Sequence, residues 1–389
     1  MIVQKSFRYR LYPTYEQEQA MAIQFGHARF VWNWALALRE AAYKETQKGI
    51  DYFDLKRRMT ALKRQQETAW LKEADSQVLQ AKIKDLEQAY QNFFEKRAQF
   101  PRFKSKKQDQ SIRYPQRFKF SENLVYLPKV GWIKMKVHRP LEGKAKNVTV
   151  SKTKTGKYFA SIQCEVELPD PPARGGEIGI DLGIKSFLVT SEGDQINNPR
   201  HLQKAEKKIK RLQRQVSRRK KGSSAREKAR LLLARQHEKV ANQRADFLHK
   251  LSRRLVDSYG LIGMEDLNVR GMVKNRKMAK AISTTGWGAF RFMLEYKGKW
   301  YGSRVHRISR FYPSSKTCGR CGFELPELAL SVRRWDCPIC GASHERDINA
   351  AINILNETRA GVAQSNAGGE SVRWHQDATV LTEAGNLTA

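Results

Sequence analysis

The chain has 389 residues with 73 Lys+Arg against 39 Asp+Glu, a formal charge of +34 that calls for a polyanionic partner, because each phosphate neutralised by a cation releases condensed counterions. Hydrophobic residues make up 40% of it, enough to bury a sizeable core, so a wholly disordered polybasic chain is excluded. The N-terminal residues Met1–Arg8 lack the apolar stretch of a secretory signal, and no run approaches the ~18 apolar residues of a membrane span, so a soluble cytoplasmic protein with no membrane partner is expected.

Residues 7–11 alternate Phe7, Tyr9 and Leu11 with Arg8 and Arg10, a strand with a basic outer face that Pro13 ends. Helical spacing then runs from Glu16 to about Lys44 (Ala20, Ile23, Phe30, Trp34, Leu38), over roughly 54–66, and from Val78 to Phe94. Residues 96–119 carry nine Lys/Arg and one acid, interleaved with Phe100, Phe103, Tyr114 and Phe118, a mixture suited to stacking bases and holding phosphates. A solvated basic loop with its aromatics in a core is the equal alternative. Strands are expected at 124–127, 132–137, 147–151 and 157–168, and with residues 1–12 they make a small β-barrel around the helical insertion. Cys164 falls within the last of these alternations and reads as a buried strand residue with no chemistry.

Pro169, Pro171, Pro172 and Gly175-Gly176 mark a boundary, after which Glu177–Thr190 reads as one strand. Residues 200–254 hold 20 Lys/Arg and only 4 Asp/Glu, a helical pair turning at Lys220–Ser224 whose excess charge suits phosphates better than a solvated face. From about 359 the chain is rich in Gly, Ala and Asn, and disorder is expected there.

Two constellations carry chemistry. Cys318-x2-Cys321-x15-Cys337-x2-Cys340 supplies two knuckles of paired thiolates, the four soft ligands of a closed tetrahedral zinc site. With all four positions filled by cysteine, such a zinc is structural and lets a segment too small for its own core fold. The second is distributed: Asp181 in the apolar strand Ile178–Lys185, Glu265 at the end of Leu261–Met264, and Asp347 opening the helix Asp347–Ile354. A carboxylate in an apolar strand is costly unless paired or metal-bound, and three converging ones suit two Mg²⁺ ions about 3.5–4 Å apart on a phosphodiester. Singly, Asp347 reads as a helix cap, Glu265 with Asp266 as a strand-end pair, and Asp181 as a turn residue. Gly179–Ser186 nearly spells a nucleotide-binding loop, but Ile184 stands at the glycine position and strand follows where that loop needs a helix.

These residues, with Phe7–Pro13, Ala28–Asn33, Phe100–Lys104 and Tyr312–Cys318, make almost the whole chain resemble the TnpB (OrfB) proteins of bacterial insertion sequences, relatives of compact type V CRISPR nucleases. The resemblance implies an α/β chain plus β-barrel and helical modules. A wedge-like barrel takes 1–12 and 96–174, and a helical recognition module takes 13–95. A RuvC-like nuclease of RNase H fold follows over 175–358, with a basic helical insertion at 200–254 and a zinc ribbon at 312–345, before the tail 359–389. It implies catalysis by Asp181, Glu265 and Asp347 with Mg²⁺, and structural zinc on Cys318, Cys321, Cys337 and Cys340. The partners it implies are a guide RNA (ωRNA or reRNA) and target double-stranded DNA beside a transposon-associated motif, the TAM, with a monomer favoured.

By position Tyr52 and Gln80 match residues that face that duplex in relatives, while Ser76 and Gln77 differ from them. Arg102, Lys104, Arg113, Arg218, Arg219 and Lys220 are the remaining candidate nucleic-acid contacts. A guided repressor that does not cut, and a transposase that performs strand transfer itself, are the alternative readings.

Overall fold

The computed structural model describes residues 1–172, 174–329 and 331–367, in two compact units, Ile2–Glu167 and a second from Leu168 onward. No helix among the described residues is long and apolar enough to cross a membrane.

The first unit runs β1 (Ile2–Tyr12), α1 (Tyr15–Thr46), α2 (Tyr52–Leu62), a 3-10 turn (Gln66–Glu73), α3 (Ser76–Phe94), β2 (Gln110–Tyr114), β3 (Lys119–Ser121), β4 (Leu124–Leu127), β5 (Gly131–Lys136), β6 (Lys144–Lys152) and β7 (Tyr158–Glu167). Period-two alternation in β1 buries Phe7, Tyr9 and Leu11 on one face. After Pro13 the chain switches to helix through a capping box: the Gln17 amide donates to Thr14 Oγ1, and the Thr14 amide to Gln17 Oε1. The strands form one sheet in the order β2-β6-β7-β1-β5-β4-β3, every adjacent pair antiparallel. Its edges, β2 and β3, are not paired with each other, so the expected barrel is a half-barrel. Edge strand β2 falls within the basic segment 96–119, where the sequence offered a nucleic-acid surface or a solvated loop; both edge strands are short, and only Ile112 and Tyr114 of β2 are buried. The helices pack through Leu36, Leu55, Met59, Leu71, Ile83 and Leu86. Cys164 is fully buried in β7, where burial raises its thiol to about 11, out of reach of chemistry.

The second unit runs β8 (Glu177–Leu182), β9 (Ser186–Thr190), β10 (Gln195–Asn197), α4 (His201–Arg218), α5 (Ser224–Ser258), β11 (Leu261–Glu265), α6 (Val269–Met272), α7 (Arg276–Thr285), α8 (Trp287–Tyr301), β12 (Arg304–Ile308), β13 (Arg334–Asp336), β14 (Ser343–Glu345) and α9 (Arg346–Ala367). Its main sheet has the order β10-β9-β8-β11-β12, antiparallel over the first three strands and parallel over the last two pairs, the RNase H arrangement. Two expectations are corrected here. Glu177–Thr190 is a hairpin, not one strand: the Gly183 amide donates to Phe187 O and folds β8 back on β9, a turn hidden inside a continuous apolar run. The expected tail from 359 is helical to Ala367, since α9 continues there with Thr358 buried against the sheet; residues 368–389 lie outside the described residues.

A pair of glycines fixes how α9 lies. Gly179 of β8 and Gly263 of β11 stand side by side in the parallel register. A Cβ on Gly179 would come within 2.0 Å of Ala351 O, and one on Gly263 within 2.2 Å of Thr358 Oγ1. The absence of both side chains lets the helix backbone rest directly on the sheet. Strand alternation then sends the side chains two residues further along, Asp181 and Glu265, to the face on which α9 lies.

Candidate active site and metal centre

That placement brings the three expected carboxylates to one end of the sheet. Asp181 ends β8, Glu265 ends the adjacent β11, and Asp347 occupies the first turn of α9. Burial raises the Asp181 carboxyl, the Glu265 and Asp347 carboxylates raise it further, and the result is about 7 despite opposition from Arg346 and the Leu182 backbone. Burial raises Glu265 too, opposed by a hydrogen bond from Ser314 Oγ to Glu265 Oε1 at 2.6 Å. Arg333 stands against Asp347, its Nη1 at 3.2 and 3.4 Å from the two carboxylate oxygens. A buried acid that other acids drive towards neutrality is what a divalent cation relieves. Among the described residues, a group whose ligand atoms all lie within 4.8 Å of one another is formed by the four cysteines.

Those cysteines come from two knuckles. The Gly322 amide donates to Cys318 O in one and the Gly341 amide to Cys337 O in the other, and the hairpin β13–β14 carries the second. Sγ of Cys318 lies 3.6 Å from that of Cys340, and Sγ of Cys321 lies 3.6 Å from that of Cys337. Such spacing is too long for a disulfide and close to the ~3.8 Å edge of a tetrahedron with ~2.3 Å metal–sulfur bonds. The cysteine donors therefore fit a metal such as zinc. His344 Nε2 sits 3.0 Å from Cys318 Sγ, a ring nitrogen placed to support that thiolate.

One short segment joins the two centres. Ser314, on Glu265, and Cys318 are four residues apart, and two buried asparagines of α9 hold the stretch between them. Asn353 Nδ2 donates to Ser314 O and Thr317 O at 2.8 and 2.6 Å. Asn349 Nδ2 donates to Thr317 O at 2.7 Å, and its Oδ1 accepts from the Gly319 amide at 2.9 Å. The sequence reading missed Ser314, Arg333, Asn349 and Asn353 as supporting residues. The i, i+4 asparagines set among Ala350, Ala351, Ile354 and Leu355 were the available signal, because buried amides need partners.

The candidate nucleic-acid residues of the first unit divide into two sets. Lys104 is drawn inward: its Nζ lies 3.5 Å over the Trp32 ring, and burial lowers its ammonium to about 8. Arg113 is turned onto Asp85 at 2.5 Å. Ser76 Oγ accepts from Lys63 Nζ at 3.2 Å, and the Gln77 amide caps onto Asp75. Tyr52 meets Phe53 edge to face and is half-buried, as are Ser76, Gln77 and Gln80, while Arg102 is exposed. In the second unit Arg218, Arg219 and Lys220 are exposed at the turn between α4 and α5, where Arg219 bonds Ala225 O.

Known proteins resemble the chain along nearly all of it. Residues 161–276 match a family model described as "Probable transposase", OrfB_IS605. Residues 287–354 match a Cas12f1-like TNB domain, and 1–48 match a model described as a helix-turn-helix domain, although this chain has one strand and a single long helix there. A Streptomyces pristinaespiralis protein named "Putative RNA-guided DNA endonuclease" is 42% identical, with 95% of this chain and 92% of that protein covered. Escherichia coli InsQ, of the same description, is 36% identical over 90% of this chain and 91% of its own length. A solved complex of Cas12f1 with guide RNA and target DNA shares the fold at a TM-score of 0.56 and 14% identity, covering 91% of this chain and 99% of that one. On that similarity and the matched models, the chain belongs to the TnpB (OrfB) family.

Proposed function

We propose that the chain is an RNA-guided, Mg²⁺-dependent DNA endonuclease of the bacterial cytoplasm that acts as a monomer. It carries a guide RNA (ωRNA or reRNA), engages a target duplex beside a TAM, and hydrolyses both strands in turn at Asp181, Glu265 and Asp347. The observation that carries this reading is Asp181: a carboxyl buried at a sheet end and raised by two further acids, in a chain of charge +34. Like-charged oxygen donors of this kind suit Mg²⁺. When bound, the cations stabilise the attacking and leaving oxygens of an in-line displacement.

The chain's own residues do the rest. Asp181 must lose its proton to act as a ligand. Ser314 holds Glu265 through a hydrogen bond, and Arg333 balances the charge of Asp347, which would serve as a ligand. Cys318, Cys321, Cys337 and Cys340 hold a structural zinc with no open position, so its work is folding rather than catalysis. In this reading residues 1–12 and 96–174 grip the guide, 13–95 face the TAM duplex through Tyr52 and Gln80, and the exposed Arg218–Lys220 turn takes backbone phosphates. Base pairing reads sequence, and the protein reads a short duplex motif and heteroduplex shape.

The test is to purify the chain with the RNA encoded across the 3′ end of its gene and challenge it with a randomised-flank DNA library, with and without Mg²⁺. Guide- and Mg²⁺-dependent double-strand breaks beside one enriched motif are expected. Asp181→Ala should abolish them while leaving guided binding nearly intact. Guided binding by wild type without any cut sinks the hydrolytic reading in favour of a repressor. The "Probable transposase" match favours a second reading, strand transfer by the chain itself; hydrolysis leaves free broken ends, whereas strand transfer leaves joined ones.

A further inference from the structure

Within the second unit, Arg244 of α5 is a cation that folding leaves without a counter-charge. Its Nε is buried and has no hydrogen-bond partner, and among the described residues its guanidinium takes part in no ion pair. Burial alone acts on it and lowers its pKa; no acid lies near enough to offset that. A guanidinium withdrawn from water without acceptors costs stability until an anion reaches it. Arg244 lines a cavity of about 310 Å³ whose wall includes none of the three carboxylates or four cysteines, a volume at the lower end of small-molecule sites. The acid that does line it, Glu206, is already committed: Lys210 Nζ and Lys280 Nζ stand 2.8 and 2.7 Å from its Oε1.

Two further features shape what fits there. The first is a second group that seeks an anion. α4 begins in the cavity wall with His201, Leu202 and Gln203, and Arg200 at its N-cap supplies no side-chain acceptor. The Asn198 side chain is turned to the loop instead: its Oδ1 accepts from the Arg200 amide and its Nδ2 donates to Ile184 O, both at 3.1 Å. Lys204 is the first amide of α4 to find a backbone acceptor, Arg200 O. Among the described residues the three amides before it are therefore open donors, at the positive end of an 18-residue helix. The second feature is apolar. Ile184, Phe187, Val240, Phe247 and Ala281 line the same cavity, and Phe247 is set edge to face on the buried Phe187, ring centres 5.1 Å apart.

We propose that this cavity binds a small amphipathic anion of the size of a nucleoside monophosphate, its phosphate on Arg244 and the first amides of α4, its flat apolar part against Phe247. A bare inorganic ion satisfies the charges and leaves the apolar wall unused. A neutral ring fills the wall and leaves Arg244 unpaired. A ligand that carries both satisfies both, and a flat body suits an aromatic wall. The planar fork of an arginine matches a phosphate through two parallel hydrogen bonds. Every residue named belongs to the second unit, and binding there needs neither a guide nor cleavage, so the site stands independently of the nuclease reading.

The test is isothermal titration of the full chain, both RNA-free and guide-loaded, with adenosine 5′-monophosphate, adenosine and inorganic phosphate as separate probes. Half-saturation by the monophosphate at or below about 0.1 mM is expected, with adenosine and phosphate each at least tenfold weaker. Arg244→Met should weaken the monophosphate at least tenfold. The same variant should leave the melting temperature of the free chain unchanged or higher, because it removes an unpaired buried charge; an arginine that serves folding alone would lower it. Ala281→Phe keeps Arg244 but fills the cavity, and should abolish binding. Phosphate that binds as tightly as the monophosphate overturns the ligand class and leaves a bare anion hole. Monophosphate binding that disappears on guide loading overturns the free-ligand site in favour of a polynucleotide phosphate. Equal binding by Arg244→Met, or none by wild type up to about 5 mM, overturns the site altogether.

Discussion

The cysteine cluster and the carboxylate site stand at the two ends of one stretch, residues 314–318, and they are assembled in opposite ways. The cysteine sulfurs approach to 3.6 Å in pairs that cross from one knuckle to the other, and backbone hydrogen bonds fix each knuckle's turn. The carboxylates cannot do this. Each has its own arrangement instead: Ser314 on Glu265, Arg333 on Asp347, and a retained proton on Asp181 up to about 7. A structural centre is therefore built from two locally fixed turns that meet, whereas the candidate catalytic centre gathers acidic groups that a divalent cation would relieve.

The largest way to break this contrast is on the cysteine side. Cys337→Ser removes one ligand of a set whose zinc binding is, by analogy with zinc-finger peptides, worth on the order of 10 kcal/mol in folding. Zinc content by mass spectrometry should fall from stoichiometric to near zero. Hydrogen exchange should show protection lost over 312–345 and kept in β8 and β11, which have their own apolar contacts. Unchanged zinc content and protection would mean that the cluster does not hold metal.

A smaller effect of opposite sign is expected on the carboxylate side. In the metal-free folded chain Asp181 keeps its proton until about 7, whereas in the unfolded chain it ionises near 3.8. Between these values the folded state binds more protons, so its stability falls as pH rises through that window and is flat above it. Asp181→Asn does not titrate. It should match wild type near pH 4 and exceed it at pH 8 by up to about 4 kcal/mol, with Mg²⁺ narrowing the gap. Urea melts across pH, with and without Mg²⁺, measure this. A constant difference between the two proteins at all pH values would show that Asp181 is not strained by its neighbours.

What was legible in the sequence follows the same division. The cysteine cluster could be read from spacing alone, because its ligands are local in pairs. The carboxylates, two on apolar strands and one opening a helix, read singly as structural and together as one metal site; their meeting depends on a register that no local pattern states. Part of that register was nonetheless written down: Gly179-Ile180-Asp181 and Gly263-Met264-Glu265 repeat a glycine two residues before an acid, and the structure pairs the glycines beneath α9. The hairpin β8–β9 was missed because both strands are apolar and the turn between them is short. Lys104 and Arg113 looked like nucleic-acid contacts because charge is visible in sequence, but Trp32 and Asp85 are far along the chain and draw them inward.

The smallest prediction asks whether the two centres are mechanically one. Ser314 is buried, its hydroxyl on Glu265 and its carbonyl held by Asn353 of α9. Ser314→Ala removes the hydroxyl and keeps the backbone bond, so Glu265 loses a partner worth about 1 kcal/mol and is less firmly aimed. Single-turnover cleavage should slow roughly tenfold at saturating Mg²⁺, with zinc content unchanged, the melting temperature lowered by only a few degrees and much of the rate regained in Ser314→Thr. If the rate falls because zinc is lost, the stretch 314–318 is a strut shared by both centres, and the division between a preassembled and a cation-assembled site fails at that residue. If the rate falls alone, the asparagines of α9 isolate one centre from the other, and the cysteine cluster serves the nuclease only by holding that stretch in place.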